Sequence, residues 1–220
     1  MATTDSNKLS ILLVSLNLAS FFDESYAGLL SQFMSKATVQ RIEERDSAIR
    51  RLSEAPRPST VLVTDEALTW EENASVWEAV LQYVRQGGTA VVMGHFPNFA
   101  WLDHVKPFFS KAGLPWETAT YRNRTVVLNR DAVGDSLAAH LPQRYSQKFL
   151  SLKNVALADA WYVAEEYEDE DVMSTPTNAN ATEGLPVVLA RVGDGKLGYI
   201  GDVNPGEEFT AVVLAMCGLS

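Results

Sequence analysis

The stretch GGTAVVMGHFPNF, residues 87–99, sends an apolar strand into a turn that presents His95 directly after a glycine. A histidine near its ordinary pKa suits proton transfer at neutral pH, as a general base or a nucleophile. Asp202, in GDVNPGE, is the candidate to orient it, and Glu66, in TDEAL, is the candidate second acid or base. Asn17, Asp65, Asn98 and Asn204 stand just past the ends of apolar runs and are candidate ligand-binding residues. Each has a plainer reading beside the chemical one. His95 can bond a neighbouring backbone group and pack under Phe96. Asp202 and Asn204 can cap the helix that follows them, a position that favours both residue types. Asp65 and Glu66 can lead into a turn.

Other chemistries lack their residues. The three histidines, 95, 104 and 140, show no ligand spacing such as H-x-x-x-H. The single cysteine, Cys217, gives no disulfide framework and no thiolate zinc cluster. No metal and no cofactor are therefore expected. Neither G-x-x-x-x-G-K-[ST] nor G-x-G-x-x-G occurs, and GDGKLG reads as a hairpin turn. No G-x-S-x-G marks a serine nucleophile. Trp70, Phe96, Phe99, Trp101 and Trp161 are candidates to wall a pocket near His95, or to form the core beside it.

The elements that would position these residues alternate. Residues 8–17 read as a buried strand and 23–37 as a helix, its stripe of Tyr26, Leu29, Leu30 and Phe33 facing the core. A strand over 38–43, a helix over 45–56, a strand over 59–68 and a helix over 71–88 follow. The strand 89–93 and a helix over 100–113, interrupted at Pro107, complete a βαβαβαβα order. Such an order folds as an open doubly wound parallel sheet with helices on both faces. The pattern then changes. Residues 116–131 read as a hairpin around RNR, 131–142 as a short helix, and 154–167 as a strand. Two strands flank GDGK, and a helix closes the chain with Pro205 near its first turn. The fold class expected is α/β, flavodoxin-like, mainly parallel, with late antiparallel strands, as one domain over 1–220. Residues 165–184, acidic and then rich in Thr and Asn, read as a surface loop within it.

Composition bounds the partners. Of 220 residues 46% are hydrophobic and 21% charged, an ordinary globular mix. A net charge of −10 opposes binding to nucleic acid or to an anionic membrane surface. No run reaches the roughly 18–20 apolar residues that span a bilayer, and the N-terminal segment lacks the basic start of a secretory signal. A cytoplasmic protein is expected, with a small molecule or a protein as partner and a homodimer as one form of that partnership.

The parallel sheet, the segment YVRQGGTAVVMGH, the antiparallel excursion and the final GKLGYIGDVNPGEEF together resemble the class I glutamine amidotransferase-like fold. That family carries a cysteine on a G-x-C-x-G elbow, with a histidine and a glutamate after the last strand. By position, Gly94-His95-Phe96 falls on the elbow, with His95 or its neighbour where the cysteine would be. Asp202 then falls on the histidine position and Asn204 on the glutamate position. Every member of the triad is replaced, so the resemblance implies the fold without glutaminase activity. GGTAVVMGH is also similar to a strand of trehalose-utilisation type proteins, a branch lacking the cysteine, and the chain resembles an uncharacterised fungal group of this fold. The leading expectation is a non-catalytic amidotransferase-like domain that binds at the carboxyl rim of its strands. The alternative is a hydrolase, isomerase or lyase for small carbohydrate-like molecules, using His95 with Asp202 and Glu66.

Overall fold

The computed structural model describes residues 8–165 and 184–220. Its frame is a nine-stranded sheet in the order β2-β1-β3-β4-β9-β8-β7-β5-β6. Four strands carry the first half: β1 (Ser10–Val14), β2 (Thr38–Ile42), β3 (Thr60–Val63) and β4 (Thr89–Val92). These pair in parallel, and β9 (Gly195–Ile200) lies parallel to β4. Continuous apolar runs such as SILLV and TVLV form central strands because both faces are covered. Ile11, Leu13, Leu62 and Val91 face one core layer and Leu12, Val14, Val61 and Val63 the other.

Helices supply both covers. On one side lie α1 (Phe22–Ser25) and α2 (Ala27–Lys36), with Phe22, Leu29 and Phe33 buried. On the other lie α3 (Arg45–Ser53) and α4 (Ala74–Arg85), whose Leu52, Val76, Val80 and Val84 are buried. A one-turn α5 (Phe96–Phe99) and then α6 (Leu102–Ser110) follow β4, with Pro107 inside α6. The one-turn α7 (Arg130–Val133) and α8 (Asp135–Ala138) replace the single short helix expected there, divided at Gly134 with φ +82°. The terminal α9 (Glu207–Met216) packs its Phe209, Val212 and Val213 into the layer of α2. Among the described residues no helix is long and apolar enough to cross a membrane.

The second half corrects one expectation. Residues 117–128 are not a hairpin but one twelve-residue strand, β5 (Glu117–Leu128). Arg-Asn-Arg offers none of the glycine a tight hairpin turn favours, and its three residues sit in register with Phe149, Lys148 and Gln147. Their partner, β6 (Arg144–Lys153), is a strand the sequence pattern does not announce. β7 (Ala160–Ala164) and β8 (Val187–Val192) complete the antiparallel half. The loop expected over 165–184 lies, apart from Glu165 and Gly184, outside the described residues.

β6 does not end the sheet as a bare edge. Its Leu150 N–H donates to the Gly201 carbonyl at 3.0 Å, and the Val203 N–H donates to the Lys148 carbonyl at 2.9 Å. Leu152 and Leu185 exchange two further bonds, at 3.0 and 2.7 Å. The antiparallel half thus curls back onto the segment that follows β9, which removes an unpaired edge. Gly201 permits this, because a side chain there would run into the Leu150 carbonyl. Gly201→Ala is expected to cost about 2–3 kcal/mol through that clash. A urea melt reads it as a lower midpoint at unchanged slope, and an unchanged midpoint would show that the closure does not depend on the glycine.

Candidate functional site

The chain moves outward from β1 to β2 and then back across to β3, so the strand order reverses between β1 and β3. The crevice at such a reversal, outside the carboxyl ends of the strands, is where open α/β sheets bind ligands. Ser15 and Asn17 follow β1, Thr64, Asp65 and Glu66 follow β3, and Gly94 and His95 follow β4.

Hydrogen bonds tie the strand ends together. Thr64 Oγ1 bonds Ser15 Oγ at 2.7 Å and lies 3.2 Å from the Val14 carbonyl. Asp65 accepts the Ala67 N–H through Oδ1 and the Asn17 N–H through Oδ2, both at 3.1 Å. It caps a 3-10 turn over Glu66–Thr69, so the turn reading of this residue holds. Glu66 accepts the Asn17 side-chain amide through Oε1 at 2.7 Å, and its buried Oε2 has no partner. Asn17, Asp65 and Glu66 are thereby brought into one cluster across the crevice. Burial raises the Asp65 carboxyl to about 6, against the pull of the Ala67 and Asn17 N–H groups.

His95 is 5% exposed. Its ring packs against Phe21 at 4.9 Å, Phe22 at 5.3 Å, Tyr26 at 5.5 Å and Phe99 at 5.5 Å between centroids. Nδ1 is buried without a partner. Burial lowers the imidazole's pKa, and the nearby Glu66 charge raises it by a smaller amount. Among the described residues no hydrogen bond joins His95 to Asp202 or to Glu66. The expected plain contact is present in a different form: the backbone N–H of His95 donates to the Thr64 carbonyl at 2.8 Å.

The turn itself places the left-handed backbone at Gly94, whose φ is +71°, while His95 has the ordinary φ of −82°. A Cβ on Gly94 would meet the Thr64 carbonyl oxygen at 2.7 Å and Phe22 at 3.3 Å. The residue at the apex of the turn is therefore one that carries no side chain and has no room for one.

Asp202 lies on the other side of the His95 cluster. It is buried, bridges Phe149 of β6, and accepts the Asn204 N–H through Oδ1 at 3.0 Å. The helix-cap reading of Asp202 and Asn204 is corrected: α9 begins at Glu207 with Gly206 at its cap, and Asp202 closes the preceding turn. Burial raises the Asp202 carboxyl to about 7, partly offset by backbone N–H donation from Asn204 and added to by Glu208. Its field also raises the pKa of Tyr26 and Tyr145, after the larger effect of their own burial. Tyr26 thus stands between His95, which it touches, and Asp202, and its own buried hydroxyl has no partner. A cleft of about 590 Å3 opens beside Tyr26, bounded also by Leu29, Pro205 and Glu207. Among the described residues no group of three His, Cys, Asp or Glu side chains is placed to hold a metal ion.

Asn98 is exposed, and its Oδ1 accepts the Tyr121 hydroxyl at 3.4 Å. Of the five aromatic candidates for a pocket wall, Phe99 and Trp101 reach the rim surface, while Phe96 and Trp161 are core and Trp70 lines a separate cleft with Leu16. Phe21, Phe22 and Tyr121 join the site although sequence reasoning does not single them out. FF after SLNLAS is the legible signal, since two adjacent aromatics past a strand end cannot both face the core.

No family model matches the sequence, and no curated protein matches it. Solved structures do. A ThuA-like protein from Bacteroides uniformis superposes with a TM-score of 0.60 at 10% identity, over 94% of this chain and 89% of that one. A ThuA-like protein from Parabacteroides merdae gives 0.57 at 13% identity, over 96% and 88%. A protein from Thermoplasma acidophilum that is named for GMP synthase gives 0.55 at 10% identity, over 96% and 94%. The chain has a ThuA-like fold. ThuA-like proteins have a class I glutamine amidotransferase-like fold, which accounts for both the parallel half and the elbow-like turn at Gly94-His95. Identities this low carry the fold and no activity with it.

Within this fold the raised Asp202 carboxyl makes a pH signature. A group whose folded pKa lies above its unfolded value of about 4 stabilises least where it must ionise inside the fold. Its contribution is therefore lost as pH rises from about 4 through about 7. Asp65 acts in the same sense over a narrower window, and His95 in the opposite sense below about 6.5. Asp202→Asn keeps an oxygen for the Asn204 N–H and removes the ionisation. Its stability relative to the native chain is expected to improve by a few kcal/mol between about pH 4.5 and about pH 8. Urea melts across that range check this, and parallel curves for the two proteins would refute it.

Proposed function

We propose that this protein is a non-catalytic amidotransferase-like domain, cytoplasmic, that binds a small ligand or a protein partner at the carboxyl rim of its sheet. The observation that carries this is the enclosure of His95 by four aromatic rings, with Gly94 instead of a nucleophile at the apex of the turn. A general base must reach the proton it takes, directly or through one water. Here the imidazole is packed as a core ring, and no carboxylate among the described residues orients it. A thiolate route to glutamine is closed as well, since Cys217 is buried in the terminal segment after α9. Asn17, Asn98 and Asn204, exposed past the strand ends, are the polar groups assigned to binding, with Asp65 buried behind Asn17 to hold its backbone N–H.

A second reading, catalysis on small carbohydrate-like molecules by His95 with Asp202 and Glu66, is favoured by one observation. His95 Nδ1 and Glu66 Oε2 are both buried without partners, and such groups call for an explanation.

Two measurements separate the readings. His95→Phe is expected to keep stability within about 1 kcal/mol, and His95→Ala to lose about 2–3 kcal/mol, as for a packed ring. A panel of glutamine, aldoses and polyols incubated with the protein is expected to be unchanged by proton NMR. Turnover of any aldose or polyol that disappears in His95→Gln establishes the catalytic reading instead. Consumption of glutamine overturns the non-glutaminase assignment.

A further inference from the structure

Five large apolar side chains gather on the rim above His95. Phe21, Phe99, Trp101, Leu102 and Tyr121 are between 47% and 69% exposed, and the described residues hold only three other large exposed apolar side chains. Contacts through His95 and Asn98 link Phe21, Phe99 and Tyr121, and chain order places Trp101 and Leu102 just after Phe99. Phe21 and Phe99 flank the His95 ring, Tyr121 bonds Asn98 beside Phe99, and Trp101 and Leu102 follow at the start of α6. Trp101 leans on His104 at 5.1 Å, which holds its ring on the surface.

We propose that this rim is the interface of a homodimer, the patch of each copy covering that of the other. The inference rests on the reading of the rim as a binding surface and names its occupant as a second copy of this chain. Area supports it first. With about 150–250 Å2 per aromatic side chain, the five expose about 500–600 Å2, the upper end for a monomer's largest apolar patch. Two patches face to face remove about 1,100 Å2 from water before any polar surround is counted, enough for a specific interface.

Charge supports it second. The chain carries a net −10, which would drive two copies apart if the patch shared that excess. It does not. Asp103 and Lys106 follow Leu102 on α6, and Lys148 lies 5.3 Å over the Tyr121 ring. Both signs therefore border one apolar centre. A two-fold axis sets residue i against j and j against i, so such a border can satisfy itself, whereas a single-sign border would select an oppositely charged stranger.

The test is the mass of the full chain by sedimentation velocity from about 1 to 100 μM. The dimer is expected within that range. Trp101→Ser with Leu102→Ser, both surface changes, is expected to weaken association at least about 30-fold, the effect of losing a central hot spot. Met34→Ser, an exposed apolar residue on α2, is expected to leave it unchanged. A native chain that stays monomeric at the highest concentration overturns the proposal, as does a dimer that the double substitution leaves intact. Saturation transfer from a monomeric native chain to a panel sugar, lost in the double variant, would overturn the dimer while sustaining the rim as a binding surface.

Discussion

The bond from the His95 N–H to the Thr64 carbonyl is the constraint on which the site depends. It pulls the chain leaving β4 across the end of β3, and only a residue without a Cβ fits between them. Gly94 fills that place with a left-handed backbone, which glycine adopts without steric cost. The turn then delivers His95 toward α1 and α2, where Phe22 and Tyr26 receive its ring, and sends Phe96 into the opposite layer against Phe108. Thr64 is itself held by Ser15 and Val14. Three strand ends are thus locked together, and the direction in which Asp65 and Glu66 leave β3 is fixed.

Around this lock, burial outweighs hydrogen bonding for the carboxyl groups. A hydrogen bond to a charged group is worth about 1.5–3 kcal/mol, while taking a carboxylate out of water costs several. Asp65 reaches about 6 and Asp202 about 7, burial in each case outweighing two backbone N–H groups that pull the carboxyl down. Asp202 also faces Tyr26 and Tyr145, neutral hydroxyl-bearing rings that provide no opposite charge. Asp202 is therefore partly protonated near neutrality, able to donate as well as accept, whereas Asp65 is mostly ionised there.

The parallel half of this fold is legible in the sequence because its signals are redundant. Runs such as TVLV have no polar face, and the helices between them carry apolar stripes at helical spacing. The residues past each strand end can be named from that alone. The antiparallel half is not legible to the same degree. RYSQKFLSLK alternates faces with a glutamine at an inward position, Gln147, which weakens the period-two signal of β6. Without that partner, a long polar strand over residues 117–128 reads as two short ones. The partners of His95 are hidden for a different reason. Its contacts come from Phe21, Phe22 and Tyr26, far earlier in the chain, and no local pattern reports packing across a sheet. The stripe that puts Tyr26 in the core is right, and its meeting with the histidine is a tertiary fact.

The same antiparallel half that obscures the fold also shapes its surface. In a bare parallel sheet the rim would end at the loops after β1, β3 and β4. β5 and β6 carry the sheet further and curl back, through Gly201, until Tyr121 stands beside Asn98 and Phe149 beside Asp202. One consequence is that Asp202 is buried by β6 instead of being left open at the end of β9. The other is that the aromatic surface begun by Phe21 and Phe99 gains a third side chain from a distant strand. Enclosure of the polar groups and exposure of the aromatic ones thus have a single structural cause.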